Sequence, residues 1–190
     1  LIIRGTDATG ANTNLVNGQS QMIKVNHVPG KISATFFNYL KGTSDPRLKY
    51  IPAIYTDWRD NSTINTDPSI QKGLPNGLNR GTMEDHPSFD PSQNEHQYSG
   101  VNRNIFANLD GPRMFVTHAE SQFLLAEAAI RGWINADAES LYNSGVASAM
   151  KIYTEYHSSA VITDGEIQAY LAANPFVGTG NSEAAIEQLN

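Results

Sequence analysis

The chain has 190 residues, of which 39% are hydrophobic and 17% are charged, and its formal net charge is −6. The negative charge and the lack of a lysine or arginine cluster exclude a typical nucleic-acid-binding protein, which presents a basic patch. Cysteine is absent, which excludes disulfides, a thiol nucleophile and cysteine-ligated metal sites, and no apolar stretch approaches the roughly 20 residues of a membrane-spanning helix.

The two ends of the sequence predict an internal fragment of a longer protein. The first residues, LIIRGTDATG, contain neither an initiator methionine nor a charged and then apolar leader. The last residues, NSEAAIEQLN, read as the beginning of a helix. We therefore expect further segments on both sides of this sequence.

Residues 1–112 are predicted to be rich in turns, because eight of the nine prolines lie there and turn signals recur every few residues. One helix is predicted over residues 32–40, with Ser33 among the residues near its start and Gly42 as its stop. Short extended segments are predicted around residues 21–25, 49–55 and 114–116.

Residues 113–190 are predicted to be helical. Thr117 and Glu120 have the spacing of a capping box, in which the two side chains satisfy backbone amides at the start of a helix. Gly132 lies where this first helix should stop. The apolar face of the helix comprises Phe123, Leu124, Leu125, Ala126 and Ala128.

A second helix is predicted over residues 136–157, because apolar residues recur there at spacings of three and four. The stripe consists of Leu141, Tyr142, Gly145, Val146, Ala149, Met150 and Tyr153. Small residues on the two helices would let them pack closely as an antiparallel hairpin; these are Ala126, Ala129, Gly145 and Ala149.

Two further helices complete the pattern. A second capping box, formed by Thr163 and Glu166, begins a helix that runs to about residue 173 before Pro175. A fourth helix begins near Ser182. The predicted fold class is therefore mainly α, with helical hairpins of tetratricopeptide type and a long loop-rich region.

Motifs of familiar catalytic sites do not occur in the sequence: it has no nucleophile elbow, Walker loop or H-E-x-x-H segment. Residues 84–96 hold the densest set of acid–base groups and possible metal ligands, namely Glu84, Asp85, His86, Asp90, Glu95 and His96. Their spacing fits no ligand motif, and the neighbouring prolines indicate a solvated loop. Asp57, Asp60 and Asn61 could supply oxygen ligands to calcium, but a turn with local hydrogen bonds is favoured. We predict no catalytic residue, metal or cofactor.

Aromatic residues on loops are the candidates for ligand contact. A sugar ring has an apolar C–H face and a rim of hydroxyls, so an aromatic ring flanked by amide, carboxylate or guanidinium groups suits it. The predicted ligand-binding residues are Trp58, Asp57, Arg59, Asn61, Tyr55 and Tyr98. The alternative for each ring is that it packs the loops onto the core, and Trp133, directly after a helix-ending glycine, is predicted to be core.

Several segments, in this order, resemble the SusD/RagB family. They are GTSDPRLKYI (42–51), QKGLPNGLN (71–79), MFVTHAESQFLLAEAAIRGW (114–133), AESLYNSGVASAMKIY (138–153), ITDGEIQAYLAANP (162–175) and EAAIEQLN (183–190). The resemblance covers nearly everything from residue 39 onward, and the helical hairpin is its most specific part.

The resemblance implies a nutrient-binding lipoprotein on the surface of the outer membrane of Bacteroidetes. Such proteins bind glycans most often, cover a SusC-like TonB-dependent transporter and are not enzymes. Residues 1–112 would be the loop-rich, ligand-facing part and residues 113–190 the tetratricopeptide-like part of one domain. The lipid anchor would lie outside this sequence, and the partners would be an oligosaccharide and the transporter. Two alternatives stay open: a carbohydrate-active hydrolase that uses residues 84–96, and a helical-repeat module that binds only proteins.

Overall fold

The computed structural model describes residues 2–3, 30–57, 60–78, 81–108 and 111–189. Backbone contacts divide the chain into two compact units, one formed by residues 4–111 and the other by residues 1–3 together with 112–190. The predicted extended segment at residues 21–25 lies outside the described residues. The predicted division of roles, with ligand binding before residue 113 and a helical scaffold after it, stays a prediction.

The first unit begins, in its described part, with helix α1 (Ala34–Gly42). The hydroxyl of Ser33 accepts the Phe36 N–H at 3.2 Å and so fixes where the helix starts. This confirms the helix predicted over residues 32–40, but moves it by two residues toward the C terminus. Phe37 and Leu40 on its inner face are buried.

A three-stranded antiparallel sheet follows, with β2 (Pro52–Tyr55) between β3 (Ile64–Asn65) and β4 (Gly100–Val101). The extended segment predicted at residues 49–55 is therefore confirmed only in its second half. Lys49 instead ends a 3-10 turn, Pro46–Lys49. The short helix α2 (Arg103–Phe106) follows β4.

The tripeptide DPR (residues 45–47) is held in a turn by the buried carboxylate of Asp45. Asp45 is 3% exposed, and its carboxylate accepts the Arg47 N–H at 2.9 Å and forms an ion pair with the Arg47 guanidinium at 2.6 Å. Pro46 supplies the fixed φ that the first position of the turn needs. The pairing compensates the cost of burying the charge.

The second unit confirms the prediction of a mainly α fold. Strand β1 (Ile2–Ile3) pairs with β5 (Arg113–Met114). Strand β5 begins one residue before the predicted extended segment 114–116 and shares only Met114 with it. The helices are α3 (His118–Ile130), α4 (Ala138–Lys151), α5 (Tyr153–Tyr156), α6 (Asp164–Ala173) and α7 (Ser182–Leu189). Helix α3 contacts α4 and α7, and α4 contacts α6. Within the described ranges, none of the helices has the length and apolar character needed to cross a bilayer.

Helices α3 and α4 pack as the predicted antiparallel hairpin, because residues early in α3 meet residues late in α4. The His118 ring lies 2.9 Å from the Ser148 hydroxyl, and the Phe123 ring packs 6.1 Å from the Tyr142 ring. Gly145 is buried directly against Phe123, where a side chain would collide with the ring. The small residue is thus what permits the close approach.

Two details of the predicted helices differ in the structure. The helix predicted over residues 136–157 ends at Lys151, and the separate turn α5 follows Ile152. The Thr117 hydroxyl accepts the Glu120 N–H at 3.1 Å, but the Thr117 N–H does not donate to the Glu120 carboxylate between these two described residues. Only the box at the start of α6 is complete.

Three residues lie at the surface although two are predicted on the apolar face of the first helix and one in the core. Leu124 and Leu125 are 61% and 42% exposed, and Trp133 is 73% exposed. The assignment of Trp133 to the core is therefore wrong. Helix α3 buries a narrower face than predicted, built on Ala119 and Ala126.

Candidate functional site

The predicted ligand residues concentrate on the connection between β2 and β3, called here the β2–β3 loop (residues 56–63). Tyr55 is the last residue of β2, and Asp57 follows it in the loop. Trp58 and Arg59 lie outside the described residues, as does the side chain of Asn61. The geometry of the loop is therefore given by Asp57 and by the residues from 60 onward.

Local hydrogen bonds connect residues within this loop. The Thr63 hydroxyl accepts the Asp57 N–H at 3.1 Å and lies 2.9 Å and 2.8 Å from the carbonyl oxygens of Asp57 and Asp60. The Asp60 carboxylate accepts the Ser62 N–H at 2.8 Å. These bonds join residues of the loop to one another, so local contacts organise the described part of its backbone, residue 57 and residues 60–63.

The Asp60 carboxylate carries its charge at neutral pH. Hydrogen bonds from the Ser62 hydroxyl and then from the Ser62 amide lower the pKa of Asp60 below its ordinary value. Both Asp57 and Asp60 are exposed. The loop thus presents carboxylate oxygens that can accept hydrogen bonds from hydroxyl groups.

Tyr55 anchors the base of the loop. Its side chain is fully buried, and its hydroxyl donates to the Val101 carbonyl at 3.0 Å and accepts the Arg103 N–H at 2.8 Å. Burial raises the pKa of Tyr55, so the phenol stays protonated. The His96 ring nitrogen Nδ1 lies 2.7 Å from the Tyr55 carbonyl and donates to it.

Tyr98 is equally buried and belongs to the same support. The Lys72 ammonium lies 5.1 Å from the centre of its ring, and the Lys31 ammonium donates to its carbonyl at 2.8 Å. Its hydroxyl has no hydrogen-bond partner among the described residues. The burial of Tyr55 and Tyr98 favours the packing alternative for these rings, and ligand contact by either of them stays a prediction.

Buried polar side chains connect the strands beneath the loop, and sequence reasoning missed them. The Ser99 hydroxyl donates to the Gln71 amide oxygen at 2.8 Å and accepts the Lys72 N–H at 2.9 Å. The Gln71 amide nitrogen reaches the carbonyls of Asn65 and Asp67, each at 3.0 Å. Polar residues between turns look solvated in a sequence, and only the fold reveals that these are buried.

The acid–base groups of residues 84–96 that the structure describes are exposed or hydrogen-bonded to neighbouring residues. Hydrogen bonds from the Ser92 hydroxyl, and then from the Ser92 amide, lower the pKa of Asp90, whereas a general acid needs a raised pKa. Glu84 and Asp85 are exposed on a 3-10 turn, and the side chain of Glu95 lies outside the described residues. No group of three or more His, Asp or Glu side chains close enough to hold a metal ion occurs in the described part of the chain.

Two clefts of the helical unit, within its described residues, contain no predicted ligand residue. One, of about 350 Å³, is lined by Phe123, Leu124 and Leu189 among others. The other, of about 420 Å³, contains His118 and Lys151. The polar groups of the second cleft already have partners: the His118 ring meets the Ser148 hydroxyl, and the Lys151 ammonium pairs with Asp164 at 2.7 Å.

Comparison with known proteins adds the family and the fold. A SusD-like family model, described as "Starch-binding associating with outer membrane", matches residues 5–188. None of the curated proteins is significantly similar in sequence to this chain.

Three solved structures resemble the chain. A chitin-binding protein is 25% identical with a TM-score of 0.72, over 99% of this chain and 38% of that one. A SusD-like protein of Bacteroidetes AC2a is 23% identical with a TM-score of 0.75, over 92% and 42%. A SusD homolog from Bacteroides fragilis is 26% identical with a TM-score of 0.57, over 84% and 34%. The chain therefore spans about two fifths of the length of the first two structures.

Proposed function

This chain belongs to the SusD-like family, and from that membership we propose that it binds glycans at the surface of a bacterial outer membrane. The observation that carries the proposal is the family match over residues 5–188, with its description as starch-binding and associated with the outer membrane. The likeness to a chitin-binding protein adds a second carbohydrate-binding relative.

The β2–β3 loop is the proposed contact surface. The Trp58 ring would stack on the apolar face of a sugar, while Asp57, Arg59 and Asn61 would exchange hydrogen bonds with the hydroxyl rim. Support comes from the hydrogen bonds that hold the loop and from Tyr55, which anchors its base. Capture needs no group with a shifted pKa and no covalent step.

The bound oligosaccharide would then pass to a SusC-like TonB-dependent transporter. The protein would be a surface-exposed lipoprotein, held to the membrane by a lipid anchor outside this sequence. The association of the family with the outer membrane supports this location. Copurification of the full-length protein with a transporter from solubilised outer membranes tests the partnership, and recovery of the protein alone contradicts it.

Affinity electrophoresis in gels that contain soluble starch or glycol chitin tests the binding. We expect retardation of the wild-type protein and a loss of about tenfold in affinity for Trp58→Ala, the scale of an aromatic hot spot. Tyr39→Ala is the matched control, because Tyr39 is an aromatic of the same unit with 57% exposure. Equal retardation in starch, chitin and blank gels would contradict the proposal.

The two alternatives predict different results in the same samples. A hydrolase that uses residues 84–96 would release reducing ends from the polysaccharide, and Asp85→Asn or Asp90→Asn would abolish the release. A helical-repeat module that binds only proteins would give no retardation on any glycan.

A further inference from the structure

The most exposed large hydrophobic side chain among the described residues is Trp133, at 73%. It lies in the connection between α3 and α4, away from the β2–β3 loop in sequence and in a different unit. Tryptophan side chains are mostly buried in folded proteins. The exposed ring at the end of this helix is therefore a candidate contact surface.

The backbone that presents Trp133 is fixed. Gly132 adopts a left-handed conformation with φ of 74°, and its N–H donates to the Ala129 carbonyl at 3.0 Å. The Trp133 N–H donates to the Ala128 carbonyl at 2.9 Å. These two bonds form a Schellman motif, in which the residue after the glycine often packs back on the helix. Here that residue is directed to solvent instead.

A cation lies beside the ring and is itself held in place. The Arg131 guanidinium carbon is 5.4 Å from the centre of the Trp133 ring, within the range of a cation–π contact. Its Nη2 forms an ion pair with the Glu127 carboxylate at 2.6 Å, and its Nε donates to the same oxygen at 2.7 Å. Glu127 thus orients the guanidinium, which in turn restricts the ring.

We propose that Trp133 and Arg131 form a second glycan-binding platform, on the helical unit. The inference rests on the proposed function and extends it to a second surface. An exposed indole ring offers a flat apolar face to the C–H side of a sugar, and the partly exposed guanidinium offers N–H donors to its hydroxyls. The predicted ligand residues of the β2–β3 loop combine an aromatic ring with polar groups in the same way.

The charges around the platform favour a neutral glycan. The Arg131 guanidinium is paired with the Glu127 carboxylate. This pair carries no net charge that would attract an acidic sugar, so the platform suits a glucose or N-acetylglucosamine oligomer.

Two weak platforms on one protein would favour polymers over short oligosaccharides. Each platform alone makes a small contact, but a long chain that engages both gains affinity through effective concentration. Loss of Trp133 should therefore weaken binding to a polysaccharide by about tenfold, or ~1.4 kcal/mol.

Fluorine NMR of protein labelled with fluorotryptophan tests the proposal site by site. The resonances of Trp133 and Trp58 are assigned as those lost in Trp133→Phe and Trp58→Phe. The probes are maltoheptaose and chitohexaose, and affinity gels with soluble starch and glycol chitin measure polymer binding. We expect the Trp133 resonance to shift with at least one probe and Trp133→Ala to lose about tenfold in the corresponding gel. Phe115→Ala, an aromatic of the same unit with 63% exposure, should bind as the wild type does.

The outcomes separate this inference from the proposed function. A shift of the Trp58 resonance alone, with wild-type retardation of Trp133→Ala, would overturn the second platform and leave glycan binding intact. Absence of any shift and of any retardation would overturn both. Thermal unfolding of Trp133→Ala should match the wild type, since an exposed side chain contributes little to stability.

Discussion

Replacement of Gly73 by alanine should destabilise the first unit strongly, because no room exists for a side chain. An added Cβ would lie 2.5 Å from the Ala34 Cα and 2.8 Å from both the Ala34 nitrogen and the Ser33 carbonyl oxygen. All three are backbone atoms at the start of α1, so no side chain can rotate away. Ordinary van der Waals contact begins at 3.4 Å, so the added Cβ and the Ala34 Cα would have to move apart by a further 0.9 Å (3.4 − 2.5).

The size of the effect follows from what this separation would break. Bond-angle bending cannot supply it, because a distortion of about 15° already costs ~4 kcal/mol. The two backbone segments must instead move apart, which stretches the bonds from the Leu74 N–H to the Ile32 carbonyl and from the Ala34 N–H to the Leu74 carbonyl, both 2.7 Å. At about 1 kcal/mol for each bond, plus residual overpacking of about 1 kcal/mol, the expected loss is about 3 kcal/mol.

Urea denaturation and thermal unfolding, both followed by circular dichroism, measure this loss. The expected fall in Tm is about 6–12 °C, at about 2–4 °C per kcal/mol for a chain of this size. Gly42→Ala is the control: Gly42 ends α1, and an added Cβ there meets nothing within 4 Å. It should be neutral or stabilise the protein by up to about 1 kcal/mol. Equal midpoints for the two variants would refute the steric argument.

Four other substitutions test the support of the loop and the hairpin. Tyr98→Phe should leave the free energy of unfolding unchanged or raise it, because the buried Tyr98 hydroxyl has no partner among the described residues. Tyr55→Phe should instead lower the free energy of unfolding by about 1–3 kcal/mol in urea denaturation, because it removes two hydrogen bonds. Ser62→Ala should raise the pKa of Asp60, measured by NMR titration, because it removes the Ser62 hydroxyl, the larger cause of the lowered pKa, and keeps the backbone amide. Gly145→Ala should destabilise the hairpin in thermal unfolding, although alanine favours helix by about 1 kcal/mol, because its Cβ would meet the ring on the facing helix.

A contrary outcome, a pH dependence and a control variant check these expectations in turn. A loss of stability in Tyr98→Phe equal to that in Tyr55→Phe would mean that both hydroxyls are bonded. The lowered pKa of Asp60 gives a contribution to stability that is present above the unfolded value of about 3.9 and is lost as the pH falls through the folded pKa. Unfolding of Ser62→Ala should therefore differ least from the wild type at the lowest pH. Gly165→Ala, where an added Cβ has no neighbour closer than 4.0 Å, is the control for Gly145→Ala and should show no loss.

The helices could be predicted from the sequence because their signals are local. Ser33, Thr117 and Thr163 each cap a helix through a backbone N–H three residues later, and such a pair is visible in sequence spacing. The buried stripe of α4 follows the same logic, since Tyr142 and Val146 recur at helical period. These features need no knowledge of what lies elsewhere in the chain.

The sheet and the exposure of single aromatics could not be predicted, because both depend on distant partners. Strand β2 pairs with β4 across some 45 residues, and β3 and β4 have only two residues each, too few to show an alternation. Tyr55 is buried, and its hydroxyl accepts the Arg103 N–H of α2. No residue near Tyr55 in sequence indicates this distant contact. Trp133 is 73% exposed, and its position directly after a helix-ending glycine does not distinguish an exposed ring from a buried one.

The described loops of the first unit hold their shape through one repeated local device, and this bears directly on binding. In each case an aspartate accepts the backbone N–H of a serine two residues later; the pairs are Asp60 with Ser62 (2.8 Å), Asp67 with Ser69 (2.9 Å) and Asp90 with Ser92 (2.9 Å). Ordering a backbone costs about 1–2 kcal/mol per residue, and these bonds offset part of that cost before any ligand arrives. When the backbone of a surface is ordered before binding, less of the contact free energy is lost to ordering it. In the proposed site, a few stacking and hydrogen-bonding groups would then suffice to hold a sugar.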